Sequence, residues 1–315
     1  MDYSRILTQA LAISWRHKYL WLLALFAAEA TTVGFSFQSG SSGRNSFRNM
    51  SMHATWGQFT SWVGTHGSLL WTAGITLALL GVALFLLSAV ANGALVKGSA
   101  EHDAERPFGL RPAWSAGIQT FGPVLRLKFF GLVVYASLFI AIGGLVLMTV
   151  VFGFTGVVGA AVATGLLAGI LLLAGLPFAI VFGVAILLAV RAVVLDGKRA
   201  SDGFRTALNL IWRRRGRVAL FWLLVCIAGW VASAIVGIAL VVVAVPVVAL
   251  AVAAYFAGGW LFAITTGLGL GAVWLIVLVS FVGGVNAFTS TCWTVAYPRF
   301  DLLSVPVVNP QPQPA

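Results

Sequence analysis

The sequence predicts an all-α fold, a polytopic transmembrane helical bundle with six spans in three repeats of an interfacial helix followed by a helical hairpin. Three observations carry that expectation. Hydrophobic residues make up 60% of the chain and charged residues only 9%, where soluble domains carry about 25% charge. The apolar residues fall in unbroken runs long enough, at about 18 residues or more, to cross a hydrocarbon core of about 30 Å as helices. Those runs show no alternation of period two, so helices rather than a closed barrel satisfy the backbone in lipid. Finally, Lys and Arg collect at the ends of alternate runs.

The elements follow in order. Residues 5–18, RILTQALAISWRHK, have the spacing of an amphipathic helix ending in a basic cluster. Span one follows over 19–37. Ala28-Glu29-Ala30 has the small-residue pattern of a signal cleavage site, but the same segment has relatives later in the chain, so it is read as a span. A polar Ser/Gly-rich loop covers 38–67 and span two covers 68–95. A charged segment, 97–111, precedes a second amphipathic stretch, 112–128. Span three occupies 129–151. A Gly-rich connection, 153–159, leads into span four, which reaches Leu195 with a kink expected at Pro177. A third amphipathic stretch, 202–217, holds the densest basic cluster. Span five starts at Val218, span six ends near Ala296, and the tail, 298–315, is Pro-rich and expected to be disordered. The apolar stretch between Val218 and Ala296 is longer than two straight spans need. Pro246 and Gly258-Gly259 interrupt it. Residues 245–267 fit a helix extension, a re-entrant segment or an extra pair of spans. Two long spans joined near Tyr255 and Trp260 are favoured, since these side chains suit a membrane interface.

Orientation follows from charge. Of the 19 Lys and Arg, all but Arg44 and Arg48 fall on one side of a six-span arrangement. The positive-inside rule makes that side the cytoplasm, with both termini there, in a bacterial cytoplasmic membrane. The formal net charge of +11 would suggest nucleic acid in a soluble protein. Here the charges flank apolar runs and form no aromatic-interleaved platform, so nucleic acid is not expected as a partner. Anionic membrane lipid at the cytoplasmic face is.

The three amphipathic stretches resemble one another. They read ALAISW from Ala10, AGIQTF from Ala116 and ALNLIW from Ala207, each followed by basic residues and a hydrophobic run. This predicts repeat units of about 5–97, 106–196 and 202–297 within a single transmembrane domain, 1–297.

Candidate functional residues are those that a membrane penalises. Glu29 is the one acid deep in an apolar run, roughly 15 Å in at helical rise. It is read either as a proton, cation or substrate contact, or as a packed carboxyl. Asn92, Arg191 and Asn286 lie 82, 75 and 79 residues after the Ala that opens each unit. Near-equal offsets suggest a shared polar cluster near the inner leaflet, serving a ligand or binding helix to helix; for Arg191, snorkelling is a third reading. Arg213, Arg214, Arg215 and Arg217 are read as a topology anchor or as contacts for anionic lipid.

Enzymatic patterns are missing. Asp196–Ser201 resembles part of the CDP-alcohol phosphotransferase motif, but position 193 is Val and Ser201 stands where Arg belongs. The four histidines, at 17, 53, 66 and 102, form no His-x-x-x-His pair, and neither a Walker loop nor a Gly-x-Ser-x-Gly elbow is present. The two cysteines, Cys226 and Cys292, sit in apolar runs as small hydrophobes. No cofactor is expected, and Asn49-Met50-Ser51 is a weak glycosylation pattern.

Two segments carry a family resemblance. WRHKYLWLLALF, from Trp15 to Phe26, and VLDGKRASDGFRTALNLIWRRRGR, from Val194 to Arg217, resemble a broad group of uncharacterised bacterial membrane proteins. That group is similar to the membrane domain attached to some glycerophosphoryl diester phosphodiesterases. The resemblance implies six spans and no established activity. This chain has no His-Arg-Gly start of the catalytic barrel, so phosphodiesterase chemistry does not transfer. The expectation is therefore a non-enzymatic membrane protein that binds lipid or a partner. The alternative is a small transporter or channel using Glu29 and Asn92, Arg191 and Asn286.

Overall fold

In a computed structural model of the chain, the backbone is described for residues 3–27 and 52–301, and side chains for all of these except 52–63, 263 and 301. Glu29, Arg44, Arg48, Asn49 and most of the tail lie outside the described residues. Within them are eight helices and no strand: α1 (Tyr3–Arg16), α2 (Tyr19–Ala27), α3 (Met52–Asp103), α4 (Leu110–Gln119), α5 (Phe121–Phe154), α6 (Val158–Asp196), α7 (Ala200–Arg213) and α8 (Arg215–Asp301). Helix α8 is two helical limbs that meet at Gly259, where φ is 74° and ψ −169°. A side chain would strain that backbone; Gly adopts it freely. The stretch 245–267 is therefore helical extension on either side of one turn.

Five segments are long and apolar enough to cross a membrane: Gly64–Asp103, Phe121–Phe154, Val158–Asp196, Arg215–Phe262 and Ile264–Phe300. Along their outer portions Leu, Val, Ile and Phe are exposed in quantity, among them Phe139, Leu173, Ile238 and Leu268. A water-soluble surface rarely carries apolar patches beyond a few hundred Å², so this surface belongs against lipid. Helices of this length and composition are compatible with an integral membrane protein. Of span one only 19–27, the helix α2, is described.

Several boundaries differ from the sequence expectation. Helix α3 starts at Met52, inside the expected polar loop, with a kink at His66 (φ −108°, ψ 16°). Trp56, Phe59, Trp62 and Val63 supply the helical spacing that the Ser and Gly content hid. The second amphipathic stretch ends at Thr120, whose hydroxyl donates to the Ala116 carbonyl at 3.0 Å, and 121–128 already belong to α5. Span four keeps its expected extent, with α6 running through Pro177 as one element. It stops where Gly197, at φ 66°, takes the left-handed cap position. The last helix continues past Pro298 to Asp301, because Phe300 is buried against Phe221, 5.6 Å between rings.

The chain divides into two compact units, residues 33–87 and the remainder. In the first, the described part is the α3 segment up to Leu87, whose apolar side chains from Leu69 to Leu86 are mostly exposed. In the second, the core gathers where the amphipathic helices meet the ends of the long ones. Ile6, Ala10 and Ile13 of α1, Ala113 of α4 and Ala207 of α7 are buried there with 184–194 of α6 and 287–300 of α8. Small residues set the approach. A Cβ on Gly117 of α4 would strike the Val90 carbonyl of α3, and one on Gly203 of α7 would lie 3.1 Å from the Ala189 carbonyl of α6. The α1 side is closed by Tyr3 stacked on Phe221, which meets Trp293 edge-on at 5.0 Å. Hydrogen bonds clasp the hairpins: Tyr135 to the Ala179 carbonyl at 3.0 Å and Thr149 to the Thr164 hydroxyl at 3.0 Å between α5 and α6, and Trp274 to the Leu240 carbonyl at 3.3 Å within α8.

Candidate site at the basic end of the bundle

Polar side chains enter the core at the same end. Arg191, on α6, is 0% exposed. Its guanidinium donates to the Leu187 carbonyl one turn back at 3.0 Å, and to the hydroxyl and carbonyl oxygens of Ser290 on α8 at 2.9 and 3.3 Å. Desolvating a guanidinium is costly, and charge-assisted hydrogen bonds to oriented acceptors offset part of it. Asn92, on α3, is 3% exposed, and its carbonyl oxygen has no hydrogen-bond partner among the described residues. One turn before it, Ser88 receives the Lys128 ammonium from α5 at 3.0 Å on its hydroxyl and 3.1 Å on its carbonyl; the same ammonium reaches the Ala27 carbonyl at 2.7 Å. Ser99 and Thr291 link α3 to α8 at 3.1 Å.

The sequence-predicted trio is therefore placed as follows. Arg191 and Asn92 are packed in the interior of the helix ends. Asn286 is half-buried on α8, and its carbonyl accepts the Thr289 hydroxyl at 3.0 Å. The α8 residue that meets Arg191 is Ser290, one helical turn beyond Asn286. Sequence reasoning missed Ser290 and Lys128. A serine in an apolar run gives no signal of its own, and Lys128 was counted with the charges flanking a span.

Around this interior lies a polar rim. His17 stacks on His102 with ring centroids 3.6 Å apart and planes 7° apart. His102 shares a 2.7 Å hydrogen bond with the Tyr19 hydroxyl. Burial of its ring, and then the Arg16 charge beside it, lower the His17 pKa from its ordinary 6.5. Gln9 on α1 donates to Asp103 at 2.6 Å and accepts from Arg299 at 2.9 Å, tying both chain ends to α3. Asp196 accepts from Tyr297 at 2.8 Å and pairs with Lys198 at 3.1 Å. Arg213 ends α7, Arg214 is the linking residue, and Arg215 and Arg217 open α8.

Of two hollows that border α5, only the second lies at this basic end. One, about 290 Å³, is an apolar groove between α5 and α6 beside Thr149 and Gly165. The other, about 370 Å³, is lined by Pro123, Arg126, Arg199, Ala200 and Ser201. Among the described residues no three His, Cys, Asp or Glu side chains gather as a metal site. Comparison with protein-family models, with curated proteins and with solved structures returned no match.

Proposed function

We propose that the protein is a non-enzymatic component of a bacterial cytoplasmic membrane that holds anionic lipid headgroups at its basic, inward face. One arrangement carries the reading. Helix α7 buries Gly203 and Ala207 and leaves Trp212 72% exposed, directly before Arg213, Arg214, Arg215 and Arg217. An exposed indole beside guanidinium groups on an amphipathic helix suits the headgroup layer. Trp15, at the end of α1 beside Arg16, is 60% exposed and repeats the pattern.

In this reading residues 19–37 complete a sixth span, and both termini face the cytoplasm. The three-unit repeat belongs to the same proposal. Its support is that α4 rests on α3, α7 on α6 and α1 on α8, each through small or aliphatic residues at its centre. The resemblance to the phosphodiesterase-linked membrane domain fits it and supplies no activity.

The test is lipid retention by the full-length protein in detergent, followed by native mass spectrometry. Phosphatidylglycerol should be retained over phosphatidylcholine, and replacing Arg213, Arg214 and Arg215 together by Gln should remove most of that preference. Equal retention of both lipids by the unmodified protein would end the proposal.

A further inference from the structure

Arg126 and Arg199 are the two cations that line the second hollow. Arg126 is on the first turns of α5, and Arg199 is the N-cap residue of α7. Together with Pro123, Ala200 and Ser201 they line the 370 Å³ hollow. Neither guanidinium has a hydrogen-bond or ion-pair partner among the described residues. The acids nearby do not neutralise them. Asp196 is engaged by Lys198 and Tyr297, and Asp202, in the first turn of α7, pairs with neither arginine.

We propose that this hollow binds a phosphate group. Arg126 and Arg199 approach from two different helices, an arrangement suited to forked recognition of phosphate oxygens. Ser201 adds a hydroxyl donor. The first amides of α7 are open as well: Arg199 makes no side-chain cap, and the first helical bond runs from the Gly203 amide to the Arg199 carbonyl at 2.8 Å. The depth is right for a lipid phosphate. Phe129, where the apolar run of α5 begins, is three residues past Arg126, about 4.5 Å at helical rise. The volume exceeds what a bare phosphate fills and leaves space for the rest of a headgroup.

This deepens the lipid-binding reading by assigning one phosphate to one pocket, and it rests on that reading only for the membrane source. The test uses full-length protein in detergent micelles, titrated with short-chain phosphatidic acid, short-chain phosphatidylcholine and inorganic phosphate. Two variants report on the pocket. One is Arg126→Gln with Arg199→Gln. The other is Ser201→Asp, which adds a repelling carboxylate where the helix dipole favours one, so α7 is kept. Phosphatidic acid should bind at least about tenfold more weakly to both variants, and phosphatidylcholine should bind weakly throughout. Binding of phosphatidic acid alone identifies a lipid source; equal binding and competition by inorganic phosphate identifies a free one. Unchanged affinity for both phosphates in both variants overturns the pocket. If only the Arg213–Arg215 variant loses anionic lipid, the broader reading stands and the pocket falls. If only the pocket variants lose it, the pocket stands and the retained lipid is held there rather than by Arg213, Arg214 and Arg215; the broader reading falls only if the unmodified protein shows no preference for anionic lipid.

Discussion

Arg191 shows what a buried cation needs at the level of a single residue. Its acceptors among the described residues include a carbonyl of its own helix and both oxygens of Ser290. Replacing Ser290 by Ala leaves the fold one acceptor short at a fully buried charge, so stability in detergent should fall by about 1–3 kcal/mol. Thermal unfolding of Ser290→Ala beside Ser280→Ala tests this. Ser280 is exposed and, among the described residues, bonds only to the Ile276 carbonyl of its own helix, so it should be nearly neutral. A second residue-scale consequence concerns pH. The His17 pKa is lowered in the folded protein by burial first and by Arg16 second. The fold thus prefers the neutral ring. Its contribution is complete above the ordinary pKa of 6.5 and is lost as the pH falls below it. Protonation would also set one imidazolium against the face of His102 at 3.6 Å. Unfolding temperatures measured between pH 7.5 and 5 should decline, and His17→Gln should flatten the decline. Parallel curves for the two proteins would remove His17 from the account.

At the scale of elements, close approach decides how the amphipathic helices dock. A Cβ on Gly203 would meet the Val193 methyl at 2.9 Å and the Ala189 carbonyl at 3.1 Å, with no flexible side-chain end to yield at the carbonyl. Gly203→Ala should therefore push α7 off α6 and destabilise by about 1–3 kcal/mol. Gly169→Ala is the control, since nothing lies within 4 Å of its Cβ position. If the two variants melt alike, the glycine contact is not what seats α7. The sequence made α7 legible through its spacing of Phe204, Ala207, Leu210 and Ile211. It did not show that Gly203 is the point of contact, because a glycine in a helix looks the same whether it faces a neighbour or open space. The boundary errors had a similar origin. Composition marked 38–67 as loop, while the Trp and Phe spacing after Met52 favoured helix.

For the whole molecule, the distribution of charge makes a topological prediction. Single cysteines at Thr155, in the α5–α6 turn, and at Ala257, beside the Gly259 break, should react with an impermeant maleimide from the outer side of a sealed bacterial membrane. A cysteine at Ser201 should react only after the inner face is opened. Cys226 and Cys292 would first be replaced by Ala. Labelling of Ser201→Cys and Thr155→Cys from the same side would overturn the six-span arrangement with both ends inside.

Membrane character and the existence of the long helices were determined by the sequence alone. Unbroken apolar runs leave the backbone no alternative to internal hydrogen bonding, whatever surrounds them. The three amphipathic stretches were legible for a comparable reason: helical periodicity is a local property. The partners of the buried polar groups were decided only by the tertiary structure. Arg191 meets Ser290 across 99 residues of chain, Lys128 meets Ala27 across 101, and Arg126 comes to line one hollow with Arg199. Such pairings depend on how helix ends are rotated and offset. That is set by small-residue contacts such as Gly117 on Val90 and Gly203 on Ala189, which no local pattern in the sequence encodes.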